Sequence, residues 1–351
     1  MNSDTFDNPM ISVVMPVYNA APFLDEAIES ILNQTYPKFE FIIVDDASTD
    51  GSAEIIRKFA EEDLRIRPFF LRHSGAGGAA NAGIREATGT FVARMDADDI
   101  ALPERLATQL SWMRRNKVAV CGSCVKTFGA ENRLIWFPEI HEAIRVEMLF
   151  RCGLMQPTVM MRADIAKAHP YKEELLFEDY ELWTRLASLY RMGNVPQVLL
   201  KYRTHSRQRH VCNADDVRRE LRHYSTLYFR SLVPGASVAD ENMMAKVVSK
   251  EPLNNLMELK RLGEIFAEFS MVNDRFLRGR LAQRWWSACA FTAPLGTGTY
   301  RLYQQMTTLR INARSRDLVL LIACLLRLPY SRITKVSDWL RKGRLRFSER
   351  P

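Results

Sequence analysis

Ile11-Ser-Val-Val-Met-Pro-Val-Tyr-Asn19 and Phe39-Glu-Phe-Ile-Ile-Val44 decide the fold of this 351-residue chain. Each is a short, nearly unbroken apolar run. A strand with one wet face alternates, whereas runs like these belong to strands covered on both sides. Ile11 to Val14 is the strand proper, and Pro16-Val-Tyr18-Asn19 its exit turn. Between the two runs, Phe23, Ala27, Ile28, Ile31 and Leu32 recur at helical spacing from about Pro22 to Asn33. The same rhythm continues outward. After the turn Ser48-Thr-Asp-Gly51, a helix reaches about Glu61 with Ile55, Ile56, Phe59 and Ala60 inward. Ile66 to Leu71 reads as a third strand, Ala79 to Ala87 as a third helix and Phe91 to Met95 as a fourth strand. The alternation predicts an α/β domain, its mostly parallel sheet flanked by helices.

Pro103 to Arg115 is a further helix, with Leu106, Leu110 and Met113 on one face, and Val118 to Cys121 a further strand. The pattern loosens between Phe128 and Gly153. Met155 to Met161 and Val195 to Tyr202 read as later strands, separated by a helix from about Phe177 to Tyr190. Strands end at about Arg207, and the rest of the chain is helical and rich in Leu, Met and Arg. The expected organisation is an α/β domain over 1–210, with halves of about 1–115 and 116–210, followed by a helical C-terminal region over 211–351.

Hydrophobic residues are 47% and charged residues 26%, which excludes a disordered, collagen-like or disulfide-stapled chain. The longest apolar run, Leu318 to Leu326, is nine residues, about half of what a membrane-spanning helix needs. Met1 to Met10 is polar and acidic, unlike a secretory signal, so a cytoplasmic chain is expected. Charge is unevenly spread. Arg275 to Pro351 holds 16 basic and 3 acidic residues, a net +13, leaving 33 basic and 38 acidic, a net −5, over 1–274. A basic tail on a near-neutral body implies an anionic partner, either nucleic acid or a membrane surface. The cysteines are Cys121, Cys124, Cys152, Cys212, Cys289 and Cys324. Cys121-Gly-Ser-Cys124 has the spacing of a zinc knuckle or redox pair, but no second pair completes a zinc site. Inside the apolar run Val118 to Val125, these two thiols are expected to be buried.

In an open parallel sheet, ligands bind beyond the carboxyl ends of the strands. Here those ends carry Pro16, Tyr18 and Asn19, then Asp45 and Asp46, then His73 to Asn81, then Asp96, Asp98 and Asp99. Five carboxylates on one rim repel one another unless a cation or a cationic ligand relieves them. Asp96-Ala-Asp98 points both side chains one way, which suits Mg²⁺ or Mn²⁺ with places left for phosphate oxygens. The alternative is helix capping, because Leu102-Pro103-Glu104 opens a helix just after. A cap uses one side chain, and Asp99 suits it.

Six stretches carry a resemblance. They are Ile11 to Asn19, Ile42-Ile-Val-Asp-Asp-Ala-Ser-Thr-Asp-Gly-Ser52, Ala93-Arg-Met-Asp-Ala-Asp-Asp-Ile-Ala-Leu-Pro-Glu-Arg105, Gln156-Pro-Thr-Val-Met160, Glu178-Asp-Tyr-Glu-Leu-Trp183 and Tyr202-Arg-Thr-His205. Their order resembles that of family 2 glycosyltransferases, enzymes of the GT-A fold found in bacterial polysaccharide and lipopolysaccharide assembly. The resemblance spans 11–205 and leaves 206–351 uncovered. It implies metal-dependent, inverting transfer of a hexosyl or N-acetylhexosaminyl group from a nucleotide sugar. A UDP-sugar is the expected donor, and a saccharide or polyprenyl-diphosphate-linked saccharide the acceptor.

The resemblance also implies roles. Pro16, Tyr18, Asn19 and Asp46 hold base and ribose, with Asp46 accepting from the base edge while Asp45 supports the loop. Asn81 and Arg94 belong to the same nucleotide-sugar site, and Asp96 and Asp98 bind the metal that bridges the diphosphate. A diphosphate leaves as an anion, unlike the alcohol of a glycoside, so one base suffices. Asp179 is that base, although Glu178 and Asp179 equally suit a helix N-terminus. Glu178, Tyr180 and Trp183 are expected at the acceptor sugar. Arg203 and His205 are expected at the diphosphate, with His205 alternatively a third metal ligand or a structural histidine. Relatives often carry Arg where this chain has Ala80. Arg72 or Arg94 then replaces it, or the donor preference differs.

Rival readings fare less well. Gly75-Ala-Gly-Gly78 superficially resembles a dinucleotide loop, but that loop follows the first strand, which here ends in Pro16-Val-Tyr-Asn19. A nucleotidyltransferase would carry a Gly-rich basic loop at the same place. A non-catalytic sugar-nucleotide or membrane scaffold with a decayed site conflicts with the filled acidic positions. In the tail, Ile333, Val336, Leu340 and Phe347 share a helical face beside Trp339, flanked by Lys335, Arg341, Lys342, Arg344 and Arg346. Such a helix lies on anionic lipid at the inner face of the plasma membrane, or else covers its own domain. Nucleic acid is not the expected partner, since no binding module is present.

Overall fold

A computed structural model describes residues 8–205, 213–272, 274–310 and 314–333. The chain divides into two compact units, Met1–Tyr224 and Ser225–Pro351. The boundary expected at 210/211 lies in 206–212, outside the described residues.

The first unit opens as the apolar runs require. β1 (Ile11–Val17), β2 (Phe39–Asp45), β3 (Ile66–Phe70) and β4 (Phe91–Arg94) alternate with α1 (Ala21–Leu32), α2 (Ser52–Glu62) and α3 (Gly75–Glu86). β5 (Ile100–Ala101), α4 (Arg105–Asn116), β6 (Val120–Gly129), β7 (Leu134–Ile135) and α5 (His141–Glu147) follow. A 3₁₀ turn, Gln156–Thr158, then leads to β8 (Met160–Arg162), α6 (Ala163–Ala168), α7 (Glu178–Ala187) and β9 (Met192–Thr204). One sheet has the order β3-β2-β1-β4-β8-β6-β9-β5, with β7 on β6. Its first four strands are parallel. Beyond them the sheet is mixed: β8 runs antiparallel to β4 and β6, and β9 runs parallel to β6. Because β1 lies between β2 and β4, the strand order reverses there, which opens a crevice at the carboxyl ends.

The core lies between β1, β2, β4 and the helices α1, α2 and α4, where Ile11, Val13, Met15, Phe41, Ile43, Leu24, Ile28 and Leu106 are fully buried. On the other face α3 lies so close that a Cβ on Gly83 would stand 2.6 Å from Val14 Cγ1 and 3.0 Å from Val44 Cγ2. Glycine is selected there by contact with the sheet. Helix α3 therefore begins at Gly75, earlier than the expected Ala79, and the glycine run is a helix rather than a loop. Pro16 lies within β1 opposite Val44, not in the exit turn. Cys121 and Cys124 are buried on β6, and burial pushes the Cys121 thiol up to about 12.

The connecting helix α8 (Ala214–Leu232) contains the division at Tyr224. The second unit continues with α9 (Val238–Ser249), α10 (Leu256–Ser270), α11 (Arg275–Phe291), α12 (Thr297–Gln305) and α13 (Arg314–Leu325). Side-chain oxygens of Ser237, Asn255 and Asp274 accept from the first turns of α9, α10 and α11. Leu262, Ile265, Phe266, Leu281, Trp285 and Leu320 are buried in this unit. Among the described residues no helix is long and apolar enough to cross a membrane. Most of the expected tail helix, from 334 onward, lies outside the described residues.

Candidate active site

Two loops close the carboxyl ends of β1 and β2. Asn19 takes a left-handed φ of 50°, which asparagine tolerates. Its N–H donates to Ser48 Oγ (2.9 Å), and its Oδ1 accepts from Thr49 N–H (2.8 Å). Asn19 thus ties loop to loop. Asp46 does the work expected of Asp45. Its Oδ1 accepts from the N–H of Ser74 (2.6 Å) and its Oδ2 from the N–H of Gly75 (2.9 Å), while His73 Nδ1 stands 2.9 Å from Oδ2. Both oxygens are occupied in holding the entrance to α3. Asp45 Oδ2 accepts from Ser48 N–H (3.2 Å), while its Oδ1 is buried without a hydrogen-bond partner. Tyr18, 54% exposed, packs against His73 with centroids 4.8 Å apart and the rings tilted by 40°. The sequence places His73 at a ligand-binding strand end but gives it no role of its own.

The acidic rim follows β4. Arg94 is buried, donates from Nη1 to Val14 O (2.7 Å) and stands 3.5 Å from Asp96 Oδ1. Asp96 and Asp98 keep 36% and 24% of their side chains exposed. His205 Nε2 stands 3.0 Å from Asp98 Oδ2, and its ring lies 4.9 Å from that of Phe23. Arg203 braces the rim. It donates from Nε to Asp98 O (2.7 Å), pairs with Glu26, and its guanidinium lies over the rings of Phe23 and Phe128. Asp99 is fully buried and accepts from the N–H of Arg203 (2.8 Å). It therefore links β9 to the rim instead of capping α4. Burial, with the charges of Asp98 and Asp96, pushes its carboxyl well above the usual range.

Two further residues on this rim lie within the sequence motifs, which give them no role. Arg105 is completely buried, donates from Nη2 to Arg94 O (2.6 Å), and is lowered by burial to about 10, which leaves it charged. Tyr202 is held protonated by burial and by the charges of Asp99, Asp96, Asp98 and Asp179. Among the described residues no three His, Cys, Asp or Glu side chains form a ready metal cage. Two partly exposed carboxylates still fit Mg²⁺ or Mn²⁺, ions that take one or two protein carboxylates and complete their shell from phosphate and water.

Helix α7 corrects three assignments. Tyr180 and Trp183 are fully buried, Tyr180 donating to Met148 O and Trp183 packing edge-on to Tyr171 at 6.3 Å. Glu178 is buried beside α3, where a Cβ on Gly77 would lie 3.5 Å from its Cγ. None of the three faces solvent as an acceptor platform. Asp179, half-buried, is the one of this group that does. Asn81 is also structural: its amide donates to Tyr171 O (2.9 Å) and Glu173 Oε1 (3.0 Å) and accepts from Tyr171 N–H (2.9 Å). A cleft beside Trp112, Arg115, Glu139 and Pro196 lies toward the start of β9, at the opposite end of that strand from the rim.

The chain and its fold find counterparts among known proteins. Residues 12–167 match the family model described as glycosyl transferase family 2. An uncharacterized glycosyltransferase of Methanocaldococcus jannaschii is 35% identical over 223 residues, 58% of this chain and 74% of that protein. The O-antigen biosynthesis glycosyltransferase WbnJ of Escherichia coli is 32% identical over 208 residues, 56% of this chain and 81% of that protein. The chain belongs to glycosyl transferase family 2 and is a glycosyltransferase. The fold is shared with S. aureus TarS in complex with UDP-GlcNAc, at a TM-score of 0.56 and 17% identity over 90% of this chain and 91% of that one. It is also shared with the mannosyltransferase PcManGT of Pyrobaculum calidifontis in complex with GDP-Man and Mn²⁺, at a TM-score of 0.50 and 20% identity over 90% and 87%.

Proposed function

We propose that this glycosyltransferase moves a sugar from a UDP-sugar to a saccharide or polyprenyl-diphosphate-linked saccharide, with inversion, in cell-surface polysaccharide assembly. The observation that carries the reading is the pair of partly exposed carboxylates, Asp96 and Asp98, standing beside Arg94 and His205 just beyond the carboxyl end of β4. The UDP-GlcNAc complex of TarS and the O-antigen role in the name of WbnJ support the donor and the pathway class.

Tyr18 and His73 receive the base, and the unpartnered Asp45 Oδ1 accepts from its edge, the part first expected of Asp46. Asp96 and Asp98 would hold Mg²⁺ or Mn²⁺, which would supply positive charge to offset that of the diphosphate. Asp179 takes the proton from the acceptor hydroxyl as that oxygen attacks the anomeric carbon. A single displacement inverts that centre, and no protonated acid is needed at the leaving group. Release of nucleoside diphosphate from a panel of sugar nucleotides, with Mg²⁺, with Mn²⁺ and with excess chelator, tests the reading. Release from none of them would refute it, and full turnover in chelator would remove the metal.

The second unit is proposed to meet anionic lipid at the inner face of the plasma membrane. Leu318, Leu325 and Leu326 are 50%, 59% and 64% exposed on and just beyond α13, and the sequence after them is strongly basic. The full chain should pellet with anionic liposomes in a salt-sensitive way, and a chain ending at Leu328 should bind much less. Equal binding by both, or by neither, ends this reading and leaves sugar transfer untouched.

A further inference from the structure

We propose that Glu220, in the part of α8 that belongs to the first unit, is a positioning residue for Asp179. Its carboxylate accepts two successive backbone N–H groups, those of Leu176 (3.2 Å) and Phe177 (2.7 Å). These peptides lead directly into α7, and Asp179 stands in its first turn. Phe177 precedes the helix with φ −118° and ψ 49°, and no side chain caps the turn locally. The entry to α7 therefore takes its anchor from outside. A carboxylate held by two adjacent N–H groups fixes the peptide between them, and its charge also suits a helix N-terminus.

The segment from Tyr171 to Phe177 is thus held at both ends. Asn81 of α3 grips Tyr171 and Glu173, and Glu220 of α8 grips Leu176 and Phe177. Asp179 leaves this braced segment with its Oδ1 accepting from the N–H of Tyr180 (2.7 Å), so its direction follows that of the turn. Glu220 lies beyond residues 12–167 of the family match and beyond the last motif at His205. Presentation of the proton acceptor therefore depends on a residue that no motif reaches. The proposal rests on the reading of Asp179 as the base.

The test is a double-mutant cycle of Glu220→Ala and Asp179→Asn in the full chain. Turnover is read as nucleoside diphosphate release from the sugar nucleotide used fastest, and nucleotide binding by calorimetry. Glu220→Ala should lower kcat by about tenfold to a hundredfold, the scale of a misplaced reacting group, with donor KM and nucleotide affinity within about twofold of wild type. In the Asp179→Asn background it should cost nothing further, because the group it places is already gone. Equal losses in both backgrounds, or wild-type turnover by Glu220→Ala, overturn the positioning role alone. Wild-type turnover by Asp179→Asn is a different result: it removes the base assignment, and the positioning role falls with it. Should circular dichroism show that Glu220→Ala does not fold, the cycle with Glu220→Gln, which keeps one acceptor oxygen, decides on the same criteria.

Discussion

Glu40 offers the sharpest energetic test, at the end of the sheet opposite the site. Its carboxylate accepts from Ser12 Oγ (2.6 Å), Thr88 N–H (2.7 Å) and Thr88 Oγ1 (2.7 Å), and it pairs with Arg67. It thereby joins β1, β2 and the turn into β4. Burial raises its carboxyl, but the bonds from Ser12, Thr88 and Arg67 more than reverse this and hold it at about 2, against an ordinary 4.5. At 1.36 kcal/mol per pKa unit, that lowering corresponds to about 3 kcal/mol. Arg67 is 36% exposed, so screening of its share reduces the figure to about 2 kcal/mol. The sign follows from linkage. A lowered carboxyl stabilises fully above its unfolded value, and the contribution fades as pH falls from about 5 toward 2. Glu40→Gln removes the titration. Amide exchange in β1 and β2 should show openings easier by about 2 kcal/mol at pH 7, and by about half that or less at pH 3. Exchange is the right readout, because a chain of two units need not unfold in one step. A gap between wild type and variant that is the same at both pH values would overturn the assignment of this stability to the ionised carboxylate.

Three further outcomes are expected. Asp179→Asn should keep nucleotide binding and lose about a hundredfold or more in kcat; a loss under about tenfold would exclude the base role. Asp98→Ala should lose transfer with either metal yet keep its melting behaviour, since removing one of a set of like charges relieves repulsion, and unfolding of this variant would show the acid to be structural. An α-linked donor sugar should give a β-linked product, read from the anomeric coupling by NMR, and an α-linked product would end the single-displacement mechanism.

What the sequence shows and what it hides divide along physical lines. β1 and β2 are legible because strands buried on both faces leave apolar runs that little else produces. Helix α5 is not, since seven residues contain only two turns and no clear stripe. Gly75 to Gly78 read as a loop by propensity, yet contact between α3 and its neighbours requires small residues, and contact is invisible in a one-dimensional string. Tyr180 and Trp183 are misread as acceptor platforms although a signal exists. With Ala187 they recur at i, i+3 and i+7, the spacing of a buried helical face, and nearby acids obscure it. That Asp46, and not Asp45, holds the 73–75 loop has no signal at all. Adjacent residues at a strand end point to opposite sides, and which side meets the 73–75 loop is settled only in three dimensions. Asn81 belongs to the same class, its partner Tyr171 lying 90 residues away.

The acidic rim raises the question of how Asp96, Asp98 and Asp99 coexist without splaying the strand end. Three devices reduce the charge that solvent and ligand meet. Burial and its two neighbours favour the neutral form of Asp99, so the innermost acid adds little repulsion. Arg105, sealed beneath and bonded to Arg94 O, supplies a fixed positive charge that cannot swing out to compete for the ligand. Arg203 grips Asp98 O and, through its own N–H, Asp99, so that β9 closes over the loop and stops the acids moving apart. The pairing of β5 with Leu200 and Lys201 on β9, immediately after Asp99, shortens the free loop further. Toward solvent there remain two partly exposed carboxylates, each beside a cationic or potentially cationic side chain, Arg94 or His205. Such a pair is left under-neutralised while its backbone is rigid, which favours an incoming cation over a rearrangement of the loop.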